Sequence, residues 1–186
     1  MAGYVNVQHD TYDVWKSNTL GNEYDLDGYW GYQCWDYASL FWRNIGFPAD
    51  FPQTGNGYAY GCWTLRKNIN AGDQFDLIEL LPLVKKGDVI VLDQGRFAGD
   101  TTGHIAFADE DYNGTSTLRL MGQNQEHASA TVGYKVTIDN VSVLKFLGAF
   151  RYKGWSTTPP TPPTPSGKSE KRFPWFITNQ RRRNML

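Results

Sequence analysis

The chain has 186 residues, rich in aromatics with 7 Trp, 11 Tyr and 10 Phe, and a formal net charge of −1. That length supports one ordinary domain with its own core, the charge balance leaves no electrostatic footprint for nucleic acid, and no apolar run approaches the roughly 20 residues of a membrane-spanning helix. The N-terminus, MAGYVNVQHD, lacks a basic n-region and an apolar h-region, so no secretory signal is expected, and two cysteines, Cys34 and Cys62, are too few for a disulfide framework and read as free thiols.

The first predicted element is a short helix from about Asp10 to Ser17, with Tyr12, Val14 and Trp15 as its apolar residues. A loop follows, YDLDGYWGYQCWD from Tyr24 to Asp36, which holds alternating oxygen donors ahead of a cysteine. Counting Asp25 as position 1, Asp27 is 3, Tyr29 is 5, Gly31 is 7 and Asp36 is 12, the ligand spacing of a calcium loop. It is not an EF-hand, because Trp30 stands where that loop needs Gly and Asp36 stands where it usually has Glu. Tyr29 and Gly31 would offer backbone carbonyls only. The competing reading makes Asp25 and Asp27 turn residues and Asp36 a first-turn helix acid.

From Gln33 to Ile45, Cys34, Tyr37, Ala38, Phe41 and Ile45 recur at three- and four-residue steps and predict a helix that stops at Gly46, with Phe47 and Pro48 beyond. Cys34 then sits in the first helical turn, where unpaired N–H groups and the helix dipole favour thiolate. A Gly-, Pro- and Asn-rich loop leads to another predicted short helix within Gly57 to Ile69. From Gly87 the period changes to two. Val89 to Leu92, His104 to Phe107, Ser116 to Met121, Ala130 to Ile138 and Leu147 to Tyr152 are predicted strands, closely spaced and separated by turn residues. Helices first and neighbouring strands later predict an α+β domain with an antiparallel sheet.

A cysteine nucleophile needs an imidazole. Of His9, His104 and His127, only His104 opens an apolar strand, behind the small residue Gly103. Asn124, at the end of the strand Leu118 to Met121, is the natural residue to orient that ring. The alternative reading makes Cys34 a small buried hydrophobe and His104 a satisfied strand residue. Trp30, Trp35, Tyr58, Tyr60 and Trp63 are available either to a substrate groove or to the core, and Cys62 reads as structural.

The blocks D-L-D-G-Y-W-G-Y-Q-C-W-D, G-D-V-I-V-L, G-H-I-A and G-Q-N-Q together resemble the CHAP domain, the cysteine, histidine-dependent amidohydrolase/peptidase family of peptidoglycan hydrolases, in its phage endolysin form, over about Asp10 to Tyr152. The resemblance implies a papain-like fold with N-terminal helices packed on a twisted antiparallel sheet. It makes Cys34 the nucleophile, His104 the general base, and the Gln33 side chain with the Cys34 N–H an oxyanion hole. It assigns Asp25, Asp27, Tyr29, Gly31 and Asp36 to one structural Ca2+. Where several relatives have Glu-Gln-Asn this chain has Gly122-Gln123-Asn124, so the orienting role falls to Asn124. The implied reaction is cleavage of an amide in Gram-positive peptidoglycan, either the N-acetylmuramoyl-L-alanine amide or a D-alanyl-glycyl-type peptide bond. A non-lytic wall-binding module and a papain-like protein protease are the rival expectations. The implied protein is a monomer, held in the host bacterial cytoplasm until release to the wall or carried in the virion.

The domain is expected to span 1–154. Ser156 to Pro165 carries five of the nine prolines and reads as an extended linker, 155–166. The tail, 167–186, has six Lys or Arg against one acid, leaving 12 basic and 18 acidic residues before it, near −6. With Phe173, Trp175 and Phe176 it is expected either to bind anionic wall polymers or to be a disordered end.

Overall fold

The computed structural model describes residues 5–48, 54–67, 74–97, 99–125 and 132–155. Three helices come first: α1 Tyr12–Thr19, α2 Cys34–Asn44 and α3 Gly61–Thr64. Six strands follow: β1 Phe75–Ile78, β2 Val89–Leu92, β3 His104–Ala108, β4 Thr117–Gly122, β5 Thr137–Ser142 and β6 Phe146–Tyr152. They form one sheet in the order β1-β6-β2-β3-β4-β5, antiparallel at every pairing. This is the expected α+β architecture.

Each helix starts and stops for a local reason. Thr11 caps α1 by accepting the Val14 N–H at 3.1 Å. Asp36 does the equivalent for α2 from within its first turn, accepting the Gln33 N–H at 3.1 Å. At the far end the Phe47 N–H reaches back to the Trp42 carbonyl at 2.9 Å, closing the helix around Gly46.

The core lies on both faces of β2, β3 and β6, and for that reason β2 reads Val-Ile-Val-Leu without alternation. On one face Val89, Val91, Ile105, Phe107 and Phe150 meet the helices; on the other Ile90, Leu92, Ala106 and Leu120 close a second cluster. Phe41 of α2 is a hub of the helix side, with ring centroids 5.1 Å from Phe107, 5.4 Å from Trp15 and 5.1 Å from Trp155. Much of the aromatic content is therefore core. Such ring pairs add about 0.5–1.5 kcal/mol each beyond their area.

Four differences from the expectations have physical causes. The strand expected at Ala130 to Ile138 is instead β5, Thr137–Ser142, because the backbone of 132–136 pairs with the loop before α2: Tyr32 N–H to Val132 O, Tyr134 N–H to Tyr32 O, and Val136 N–H to Asn22 O. Residues 130–131 of that expectation lie outside the described residues. The edge strand β1 went unread because only Phe75 and Ile78 of its four residues are buried. The helix expected within Gly57 to Ile69 contracts to α3, and 68–69 lie outside the described residues. Finally, the packed unit runs one residue past the expected boundary: Trp155 stacks on Phe41 and donates its indole N–H to Gly87 O at 3.1 Å. The linker from 156 and the basic tail lie outside the described residues. Among the described residues, no helix is long and apolar enough to cross a membrane.

Candidate active site

The loop that delivers Cys34 is tightly constrained. Gly28, Trp30 and Gly31 have φ of 79°, 65° and 68°. A Cβ at Gly31 would fall 2.1 Å from the Val132 carbonyl oxygen, so only glycine fits where the loop meets 132–134. Gln123, fully buried at the end of β4, ties this loop from the other side. Its carbonyl accepts the Tyr24 N–H at 2.7 Å, and its amide donates to Tyr24 O and Gln33 O at 3.0 and 2.8 Å.

Cys34 opens α2 and is partly exposed. Burial pushes its thiol up. The N–H of Ile105, the charge of Arg96 and the N–H of Trp35 pull the other way, while Asp36 adds to the rise. The net direction is upward, against the pull expected of a helix terminus, because loss of solvent is the largest single influence on the sulfur. The Ile105 contact sets the sulfur beside the first peptide of β3, next to His104.

His104 begins β3 and is 1 % exposed. Its placement depends on Gly103, at φ 68°, where a Cβ would meet Leu92 O at 2.5 Å and Tyr60 Cβ at 2.9 Å. The preceding loop is locked by a buried pair: Arg96 Nε donates to Asp100 Oδ2 at 2.8 Å, Arg96 Nη2 donates to Gly103 O at 3.2 Å, and Asp100 Oδ1 accepts the Gly103 N–H at 3.1 Å. Burial first, and then the Arg96 charge, hold the His104 imidazole down to about 3, against the opposing pull of Gln125 and Asp100. Both shifts run toward the uncharged forms, thiol and imidazole.

The sheet opens at the site. β3 and β4 pair only at Phe107↔Met121 and Ala108↔Leu120. Continuing that register would set His104 opposite Asn124, the residue expected to orient it. The chain turns first: Asn124 has φ 55°, and its side chain donates to Gln33 Oε1 at 2.6 Å. The side chain that meets His104 Nε2 is the next one, Gln125, through Oε1 at 3.2 Å. Gln33, expected in the oxyanion hole, lies at the N-cap of α2, and its amide N–H donates to the Trp30 carbonyl.

The acidic loop brings three of its five expected ligands together by side chain. One carboxylate oxygen from each of Asp25, Asp27 and Asp36 lies within 4.8 Å of the others. Asp25 accepts the Gly28 N–H, Asp27 the Tyr29 N–H, and Asp36 the Leu26 and Gln33 N–H groups. Burial and the neighbouring Asp27 and Asp25 push Asp36 up to about 7, opposed by those two N–H bonds. Three carboxylates crowded on a constrained loop are an all-oxygen, strongly negative donor set, which fits a hard cation such as Ca2+. Tyr29 and Gly31 lie on the same loop.

Of the aromatics expected near a groove, Trp30 and Tyr58 are exposed, and Tyr60 stacks on Tyr58 with centroids 6.0 Å apart. Trp35 is half-buried. Trp63 belongs to the core, against Phe150 at 5.4 Å. Cys62 is buried and donates its S–H to Ala59 O. The sequence reading missed Arg96, Asp100, Gln123 and Gln125. The last two stood in the G-Q-N-Q block; Arg96 and Asp100 carry no motif.

A thiol at a helix N-terminus and a strand-borne imidazole, on a helix-and-antiparallel-sheet fold, place the chain among α+β proteins with a cysteine–histidine candidate site. The CHAP domain model matches residues 22–124, and the chain belongs to that family. It is 35 % identical over 123 residues to the D-alanyl-L-alanine endopeptidase of Streptococcus phage B30. That match covers 64 % of this chain and 26 % of the relative, so the chain corresponds to about a quarter of it. Its fold is that of the crystal structure of the wild-type endolysin LysIME-EF1, with a TM-score of 0.61 and 24 % identity over 76 % of this chain and 64 % of that one.

Proposed function

We propose that this chain is a peptidoglycan hydrolase of the phage-lysin type, cutting an amide bond in Gram-positive walls through a cysteine nucleophile. The observation that carries the reading is Cys34 at the start of α2, with the Ile105 N–H acting on its sulfur, and the preceding strand residue His104 buried with its Nε2 held by Gln125. His104 takes the proton from Cys34 as the sulfur attacks the amide carbon. The oxyanion is stabilised by the Cys34 N–H and the Gln33 amide. The C–N bond then breaks, the imidazolium protonates the departing amine, and water activated by His104 hydrolyses the thioester to a carboxylate and free thiol. The relative's name favours a peptide bond between D-alanine and L-alanine over the N-acetylmuramoyl-L-alanine amide.

Calcium is proposed as a scaffold for this site, held by Asp25, Asp27 and Asp36 with the carbonyls of Tyr29 and Gly31. When bound there it would supply charge neutralisation, stiffening the loop before Cys34. The enzyme reaches the wall from the host cytoplasm or from the virion, and the basic tail adds affinity for anionic wall polymers.

Cys34→Ala should abolish lysis of Gram-positive walls, by about 10³-fold or more, while circular dichroism stays native. Retained lysis would remove the nucleophile assignment. Mass spectrometry of the digest identifies the bond: new N-terminal L-alanine with D-alanine-ended stems supports the endopeptidase, whereas free stem peptides released from muramic acid would make it an amidase.

A further inference from the structure

We infer that Gln125, backed by Asp139, is the positioning residue for His104 in this chain, holding the imidazole as its Nε2–H tautomer so that Nδ1 faces the Cys34 proton. The inference rests on the proposed hydrolytic role of Cys34 and His104 and identifies a residue for which neither Gly122 nor Asn124 serves.

Which end of the Gln125 amide meets the ring fixes the tautomer. The Nε2 end of Gln125 lies 3.0 Å from Leu120 O, 3.2 Å from Thr137 O and 3.0 Å from Asp139 Oδ2. All three are acceptors: two carbonyls and a carboxylate oxygen that also takes the Thr137 hydroxyl proton. Only an NH2 group satisfies them, so the amide cannot be flipped. Oε1 is thereby committed to His104 Nε2, 3.2 Å away, and an amide oxygen can only accept. The ring must present N–H at Nε2, which leaves the Nδ1 lone pair as the base.

Space tells the same story. A Cβ on Gly122 would stand 3.2 Å from Gln125 Oε1 and 3.4 Å from its Cδ, and 2.9 Å from Ala106 Cβ. The absence of a side chain at 122 is what gives the Gln125 amide its path to the ring. The left-handed turn at Asn124 supplies the direction, because it sends the Asn124 side chain to Gln33 and brings residue 125 round to His104. Asp139 belongs to the edge strand β5, so an outer strand supports the chemistry of β3 across β4. The charged groups that act on the ring are Arg96 and Asp100 from the preceding loop, with Asp139 behind it through Gln125.

The test is ¹⁵N NMR of the full chain labelled at histidine, which reads the tautomer without substrate and so is independent of whether the wall is the true substrate. His104 is expected as the Nε2–H form. Gln125→Ala should give a tautomer mixture and lower the maximal lysis rate roughly 10- to 100-fold, less than the ~10⁴ seen where a buried carboxylate orients the ring, with wall affinity little changed. Gln125→Glu keeps an acceptor and adds charge. Because it also removes the NH2 that Leu120 O, Thr137 O and Asp139 Oδ2 accept from, it should not recover the rate, while its charge should move the acid limb of the pH–rate profile to higher pH. A wild-type His104 protonated at Nδ1, or a Gln125→Ala protein with unchanged tautomer and rate, overturns the assignment. If Gln125→Ala does not fold, the wild-type tautomer and the Gln125→Glu profile decide, and an unmoved acid limb counts against it.

Discussion

His104 carries the sharpest electrostatic consequence at the scale of one residue. Its imidazole is buried neutral, held down to about 3 chiefly by loss of solvent and then by Arg96, against about 6.5 in an unfolded chain. A base whose folded value is depressed contributes stability that is complete above the unfolded value and lost as pH falls through the folded one. Between about pH 6.5 and 3 the unfolded chain therefore takes up a proton that the fold resists. Urea midpoints measured from pH 7 to 4 should fall more steeply for the wild type than for His104→Asn; equal slopes would show that the imidazole is protonated in the fold. The residues that do this work were unevenly legible. Cys34 and His104 announced themselves by type and local pattern. Arg96 did not, because it reaches the site through a loop closed by Asp100, and no periodicity records a loop closure.

Among the elements, the β2–β3 connection and the loop before α2 decide where the reagents stand. Gly103 is pressed between Leu92 O and Tyr60 Cβ in a left-handed conformation. Gly103→Ala adds both steric overlap and backbone strain, together costing about 3 kcal/mol. It should lower the thermal midpoint and cut lysis beyond what the stability loss explains, since His104 is the next residue; calorimetry beside a lysis assay separates the two. The α2 helix was readable end to end, because its apolar face, its Asp36 and its Gly46 stop all act within a turn or two of sequence. The segment Ala130 to Ile138 was misread for the opposite reason. Most backbone partners of 132–136 (Gly21, Asn22 and Tyr32) lie about a hundred residues away, and a short alternating run cannot declare which partner it will find.

Over the whole molecule, two features bind the ends of the chain to the site. Trp155 packs on Phe41, Tyr12 and Tyr152. A chain ending at Gly154 should lose about 2 kcal/mol relative to one ending at Trp155, part of the cost of removing a well-packed Trp. Equal urea midpoints for the two truncations would show that Trp155 is not part of the folded unit. The acidic loop makes the second link. If it holds Ca2+, removing the ion with EDTA should lower the thermal midpoint by several degrees and reduce lysis, and added Ca2+ should restore both more fully than Mg2+, which demands a tighter octahedral shell. A midpoint unaffected by EDTA and by Asp27→Asn would rule the metal out.

The sequence by itself determined the α+β class, the candidates for nucleophile and base, and the acidic loop ahead of them. Those features follow from residue type and short-range spacing, which act before the chain has found its distant partners. Only the tertiary structure decided that His104 is buried, that Gly122 clears a path, and that Gln125 meets the ring where Asn124 was expected. Each depends on atoms brought together from strands far apart in the chain, and on a single left-handed residue that shifts the register of side chains by one.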